Sequence, residues 1–127
     1  MIFNILMLLH IIMSQLVSVL MHARTQAHVF HLRTASYAQH KALQKFYEGI
    51  SELLDQYAEA YQGKYGIIDG YKSYPVTQDP RKSKKFLISL MKIVTKTREV
   101  TRDSYLKNIL DQIYELTYST MYMLHLK

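Results

Sequence analysis

Residues 36–62 read SYAQHKALQKFYEGISELLDQYAEAYQ, and the spacing of apolar residues in this stretch is the strongest structural signal in the chain. The apolar side chains recur at steps of three and four residues, which is the period of one helix face. They are Leu43, Phe46, Tyr47, Ile50, Leu53, Leu54, Tyr57 and Tyr61. Ser36 and Gln39 match a capping box, and Gly63 stands where glycine commonly ends a helix. The pattern predicts a long amphipathic helix over 36–62.

Three further helices are predicted, at about residues 3–32, 80–100 and 103–126. Asp79 followed by Pro80 is typical of an N-cap with proline in the first helical position. Residues 63–79 contain three glycines and Pro75, so we expect a long loop there. The 127 residues therefore form one all-α domain.

The loop length predicts how the helices are connected. The 36–62 helix is about 40 Å long, and 17 extended residues reach roughly 55 Å, so the loop can run the length of the bundle. The other two connections are short and make their helices antiparallel. We therefore predict a ferritin-like four-helix bundle with one long crossover between helices 2 and 3.

The composition limits the chemistry and the compartment. The chain has no cysteine, which excludes disulfides, thiolate nucleophiles and cysteine zinc sites and suits a reducing cytoplasm. Residues 2–13 are almost wholly apolar, so a signal peptide or a membrane span is an alternative for them. No lysine or arginine precedes this run, and Asn4 and His10 interrupt it. We expect no membrane partner and predict that this helix faces both its own bundle and another subunit.

Helix 2 carries a stripe of four acidic residues, Glu48, Glu52, Asp55 and Glu59, on the side away from its apolar face. A solvated face is the ordinary interpretation of such a stripe. Histidines lie nearby in the sequence at positions 28, 31 and 40, and imidazole with carboxylate suits Fe(II), Zn or Mn. His40 and Asp55 are separated by roughly 22 Å on one helix, so only a two-fold related copy could bring them to one ion.

Two stretches of this region resemble the ferritin-like DNA-protection-during-starvation proteins, the Dps family. They are HVFHLRTASYAQHKAL at 28–43 and DQYAEAYQG at 55–63. The chain also resembles small Dps-like proteins of tailed phages, including DSYLKNILDQIYELTYSTMYML at 103–124. The resemblance is close over about residues 16–62 and architectural beyond them.

The resemblance implies a function and a ligand set. His31, His40, Asp55 and Glu59 would form an iron-binding ferroxidase centre between subunits of an oligomer built on dimers, with His28 and Glu52 as supporting residues. The cofactor implied is iron, and a phage origin would place the protein in the host cytoplasm.

Positive charge is concentrated in the middle of the chain, which suggests another partner. Residues 64–107 hold 11 of the 16 lysines and arginines and only four acids. DNA is a candidate partner for the patch formed by Arg81, Lys82, Lys84, Lys85, Lys92 and Lys96. The alternative function is a non-enzymatic helical bundle that binds a protein partner or DNA and lacks iron chemistry.

Overall fold

The computed structural model describes residues 2–126 and confirms the all-α prediction. The helices are α1 (Ile2–Arg33), α2 (Tyr37–Tyr65), α3 (Ser83–Val100) and α4 (Ser104–Met123), with a 3-10 turn at Pro80–Lys82 before α3. They form a four-helix bundle.

Each helix of the bundle has two neighbours. α1 packs against α2 and α3, and α4 packs against the same two helices, so α2 and α3 occupy opposite corners. Neighbouring helices are antiparallel: the Tyr57 hydroxyl near the end of α2 donates to the Met13 carbonyl near the start of α1 at 3.1 Å. Likewise Phe30, late in α1, packs edge-on against Phe86, early in α3.

The long crossover runs beside α1 from one end of the bundle to the other, as predicted. The Lys72 backbone N–H donates to Ser18 Oγ at 2.9 Å, and farther along Arg33 Nε donates to the Gln78 carbonyl at 2.8 Å. Between them the fully buried Gln26 amide donates to the Thr77 carbonyl and accepts from the Thr77 N–H, both at 2.7 Å. These contacts satisfy loop backbone groups that no secondary structure pairs.

The core contains the apolar face that the sequence indicates. Its largest fully buried side chains include Leu16, Leu20, Phe30, Leu43, Phe46, Ile50, Leu54, Tyr57, Leu87, Leu90, Leu106 and Leu110. Gly49 allows α2 and α4 to approach closely, because a Cβ there would lie 2.9 Å from Leu116 Cδ2. Burial of each large apolar side chain in the core contributes about 1.5–3 kcal/mol to stability.

Two predicted N-caps are confirmed, whereas two predicted helix ends are wrong. Helix 4 ends at Met123 and not at residue 126. Ser36 Oγ accepts from the Gln39 N–H at 3.2 Å, and Asp79 accepts from the Arg81 N–H at 3.0 Å, as N-caps do. The predicted C-cap at Gly63 is wrong, because α2 continues to Tyr65. The cap is Gly66, whose φ of 102° suits a residue without a Cβ.

By length and composition alone, α1 is apolar enough over Asn4–Arg33 to cross a membrane. In the bundle, however, its inner face contributes to the core through Leu16, Val17 and Leu20. Its first turns are exposed instead, with Ile5, Leu6, Met7, Leu8 and Ile11 facing outward. The middle of α1 is thus buried in the bundle core, whereas its first turns keep apolar side chains exposed.

Candidate metal centre

The turn between α1 and α2 brings His31 and His40 together. Their rings stack with centroids 3.7 Å apart and planes inclined by 17°. His31 lies near the end of α1 and His40 near the start of α2, so the eight residues between them span the short turn. Two of the four predicted metal ligands are therefore neighbours within one chain.

Both rings are held by reciprocal hydrogen bonds. His31 Nδ1 donates to the His40 carbonyl at 2.7 Å, and His40 Nδ1 donates to the His31 carbonyl at 2.8 Å. A carbonyl oxygen only accepts, so each Nδ1 carries a proton and each neutral ring keeps a lone pair on Nε2. No buried side-chain nitrogen or oxygen in residues 4–126 lacks a partner, so the unbonded Nε2 atoms keep some contact with solvent, although His31 as a whole is only 7% exposed.

His28, predicted as a supporting residue, lies beside this pair and contacts mainly Tyr47. The two rings stack at 4.3 Å with planes inclined by 16°. His28 and His31 are 5.8 Å apart between ring centroids, and Tyr47 meets His31 edge-on at 5.3 Å. An aromatic contact thus fixes the ring planes at this end of the bundle.

The predicted carboxylate ligands lie elsewhere on the same chain. Asp55 and Glu59 are exposed on the outer face of α2, together with Glu48 and Glu52. About 22 Å of helix separates Asp55 from His40. Within the described part of the chain, no three histidines, aspartates or glutamates come close enough to hold a metal ion. One chain therefore does not bring the four predicted ligands together.

The predicted nucleic-acid patch is exposed on the outer side of α3 and the turn before it. Lys82, Lys84, Lys85, Lys92 and Lys96 are all exposed. Arg81 is exposed as well, but its guanidinium is paired with the Asp79 carboxylate at 2.9 Å. The cationic face consists mainly of lysines.

The opposite end of the bundle contains a polar cluster that the sequence did not predict. Asp103 is 7% exposed and accepts hydrogen bonds from Lys64, from the Tyr65 hydroxyl at 2.5 Å and from the Tyr105 hydroxyl at 3.4 Å. Its carboxylate does not cap α4, although Asp103 is the N-cap residue. Because Lys64 and Tyr65 are distant in sequence, only an aspartate before a helix start could have hinted at this cluster.

Electrostatics favours the ionised form of this carboxylate. Burial raises the pKa of Asp103, but the hydrogen bonds from Lys64 and Tyr65 outweigh burial and hold this pKa below its usual value. The same hydrogen bond raises the pKa of Lys64. Asp103 therefore remains a carboxylate and Lys64 an ammonium across the physiological range.

A surface groove lies away from the histidines, between α3 and α4. It has a volume of about 570 Å³, with Ile88, Met91 and Met121 contributing apolar surface and Lys92 and Lys96 contributing charge. The groove contains no histidine or aspartate, so it is not a candidate for the metal site.

Comparison with known proteins indicates a family and a viral relative. The chain is 27% identical over 111 residues to the "Uncharacterized 14.6 kDa protein in mobD-ri intergenic region" of Enterobacteria phage T4. That alignment covers 85% of this chain and 84% of the phage protein, in line with the predicted resemblance to phage proteins. Neither comparison names the Dps family. No solved structure matches the chain significantly. Residues 31–124, from His31 to the end of the bundle, match the family of unknown function DUF5856, and the chain belongs to that family.

Proposed function

We propose that this protein is a Dps-like metal-binding bundle that binds and oxidises Fe(II) at a site shared by two copies of the chain. His31 and His40 of one copy, together with Asp55 and Glu59 of the other, would hold the metal. The observation that carries the proposal is the state of the two imidazoles. Each has Nδ1 committed to a backbone carbonyl and Nε2 left as a donor to metal.

The imidazole half-site has the support that metal-binding histidines usually have. A ligating histidine commonly donates its other ring N–H to a carbonyl or carboxylate, which fixes the tautomer and the ring orientation. His31 and His40 do this reciprocally, so neither ring depends on an external group for its orientation. Each ring is therefore held in one orientation before any metal binds.

The carboxylate half-site is available for the same purpose. Asp55 and Glu59 are four residues apart, so their side chains lie on neighbouring turns of one face. In residues 4–126 neither carboxylate has an ion-pair partner. Carboxylate oxygens would supply the negative charge that attracts Fe(II) and stabilises the additional charge of Fe(III).

Two copies are required because of the distance along α2. A two-fold axis that places the α1–α2 turn of one copy against the outer face of α2 of the other would create two equal sites. Iron enters this scheme as the substrate, with oxygen or peroxide as the electron acceptor.

Anaerobic Fe(II) titration followed by oxygen or peroxide tests the proposal. The wild-type protein is expected to bind iron saturably and oxidise it faster than buffer does. Asp55→Asn/Glu59→Asn should lose both properties while its far-UV spectrum is unchanged. Glu48→Gln/Glu115→Gln removes the same charge from exposed positions and should behave like wild type. Equal iron binding by the two double variants would refute the site.

The exposed lysines favour a second candidate function, which is DNA binding without iron chemistry. A contact with phosphates predicts an affinity that falls steeply as salt rises. Filter binding in graded salt tests this, and an affinity independent of salt would exclude a phosphate-driven mode.

A further inference from the structure

Two helices of this bundle have outer faces of opposite charge. The acidic stripe consists of Glu48, Glu52, Asp55 and Glu59 on α2, and the basic stripe consists of Lys85, Lys92 and Lys96 on α3. At about 100° per residue, each stripe spans about 60° or less and lies opposite the buried side of its helix. All seven side chains are exposed.

The two stripes cannot meet within one molecule. α2 and α3 occupy opposite corners of the bundle, so their outer faces point in opposite directions. Over residues 4–126, none of the seven charged groups forms an ion pair. Glu99 on the outer face of α3 and Lys41 on that of α2 carry the opposite sign, so each face presents a net excess of charge to solvent.

The stripes also share a spacing. Lys85, Lys92 and Lys96 are separated by steps of seven and four residues, and Glu48, Asp55 and Glu59 by the same steps. Both sets thus place charges about 10 Å and 6 Å apart along a helix. The acidic set also matches in reverse, through Glu59, Glu52 and Glu48, so the charges fit in either helix direction.

We propose that the basic stripe of α3 is a docking surface for the acidic stripe of α2 in a second copy of this chain. The contact is head-to-tail, because it joins two different surfaces. Two copies joined in this way keep one unused stripe of each sign between them, so the contact propagates into a ring or a linear array.

The expected strength of this contact is modest. A single exposed ion pair contributes roughly 0.2–1 kcal/mol, so all three lysines of the basic stripe must pair in register for measurable association. Interactions between exposed charges are screened by salt, with a screening length of about 10 Å in 0.1 M salt. The association should therefore be reversible and restricted to low ionic strength.

The docking contact and the proposed iron site use the same carboxylates. Asp55 and Glu59 face either the basic stripe or the partner's histidines, so iron binding and head-to-tail association exclude each other at one α2. Experiments in EDTA isolate the docking contact, and a failure there leaves the iron proposal unaffected.

Sedimentation velocity in EDTA tests the contact at about 20 mM and about 500 mM NaCl. The wild-type protein is expected to form larger species only at the lower salt. Lys92→Glu/Lys96→Glu should weaken this association about tenfold or more, because two ion pairs become repulsive. Lys72→Glu/Arg102→Glu makes the same change in net charge at exposed positions outside both stripes and should associate like wild type.

Mixing two variants with reversed charges on opposite stripes gives the strictest test of the contact. Asp55→Lys/Glu59→Lys should also fail to associate alone, and mixing it with Lys92→Glu/Lys96→Glu should restore the larger species, because every stripe then has a complement. Three results would overturn the proposal: no association of wild type at low salt, equal loss in the control, or no restoration on mixing. Duplex DNA bound through these lysines by a protein that remains monomeric would assign the stripe to nucleic acid.

Discussion

At each end of the bundle a polar cluster joins neighbouring helices, but the two clusters consist of different groups. At the α1–α2 turn, His31 and His40 bind each other's carbonyl oxygens through Nδ1. At the opposite end, Asp103 accepts from Lys64, Tyr65 and Tyr105. Both clusters hold neighbouring helices together.

The two clusters differ in whether a polar atom is left without a hydrogen-bond partner. The Asp103 carboxylate is surrounded by donors from its own chain, so its contribution is to stability. The imidazoles satisfy the backbone with one nitrogen and leave the other at the surface. A polar cluster with an unused donor atom can serve a ligand, whereas a saturated cluster serves the fold.

The largest expected effect comes from removing the saturated cluster. Asp103→Ala leaves Tyr65 and the half-exposed Lys64 without their acceptor and should lower the free energy of unfolding by about 1–3 kcal/mol. Urea denaturation measures this loss. Asp69→Ala, at an exposed loop position, should change stability by less than about 0.5 kcal/mol. Equal losses in the two variants would contradict a structural role for Asp103.

Acid should reproduce part of that loss. The pKa of Asp103 lies below its ordinary value of 3.8, because Lys64 and Tyr65 donate to the ionised form. Its stabilising contribution is therefore complete above about pH 5 and disappears as pH falls through the lowered pKa. The stability difference between wild type and Asp103→Asn should be constant from about pH 7 to 5 and shrink below about pH 4. A difference that grows in acid would contradict this sign.

The histidine end is expected to lose function more than stability. His40→Ala removes the bond to the His31 carbonyl and should cost about 1 kcal/mol. His40→Asn keeps an N–H near the position of Nδ1 but lacks Nε2, so its stability should stay near wild type. Both variants should lose Fe(II) binding. Full iron binding by His40→Asn would exclude Nε2 as a ligand.

The smallest expected effect on stability comes from removing an exposed ion pair. Arg98 and Asp111 bridge α3 and α4 at 2.8 Å, with side chains 41% and 49% exposed. Arg98→Ala should shift the urea denaturation midpoint much less than Asp103→Ala does, because solvent screens this pair. A loss as large as that of Asp103→Ala would show that exposure does not distinguish the two pairs.

Much of the architecture could be predicted because it depends on local patterns. The three- and four-residue period identified the buried face of α2, and the loop length was sufficient for a crossover. Gly63 misled because a glycine's identity does not reveal its φ, and the positive φ belongs to Gly66.

The polar clusters depend on contacts that sequence patterns do not encode. Asp103 meets Lys64 and Tyr65 across 39 and 38 positions. The histidines could be chosen as ligands, but their reciprocal backbone bonds depend on the geometry of the turn. The pairing of histidines with carboxylates from another copy stays a prediction, because it lies between chains.

Mixing two inactive variants tests the shared site most directly. His31→Asn/His40→Asn keeps the carboxylates, and Asp55→Asn/Glu59→Asn keeps the histidines. After the two are unfolded and refolded together, the account predicts that saturable Fe(II) binding returns at up to about a quarter of the wild-type sites, since each mixed dimer has one complete site. Binding that stays absent although mixed dimers form would contradict a site shared between two copies.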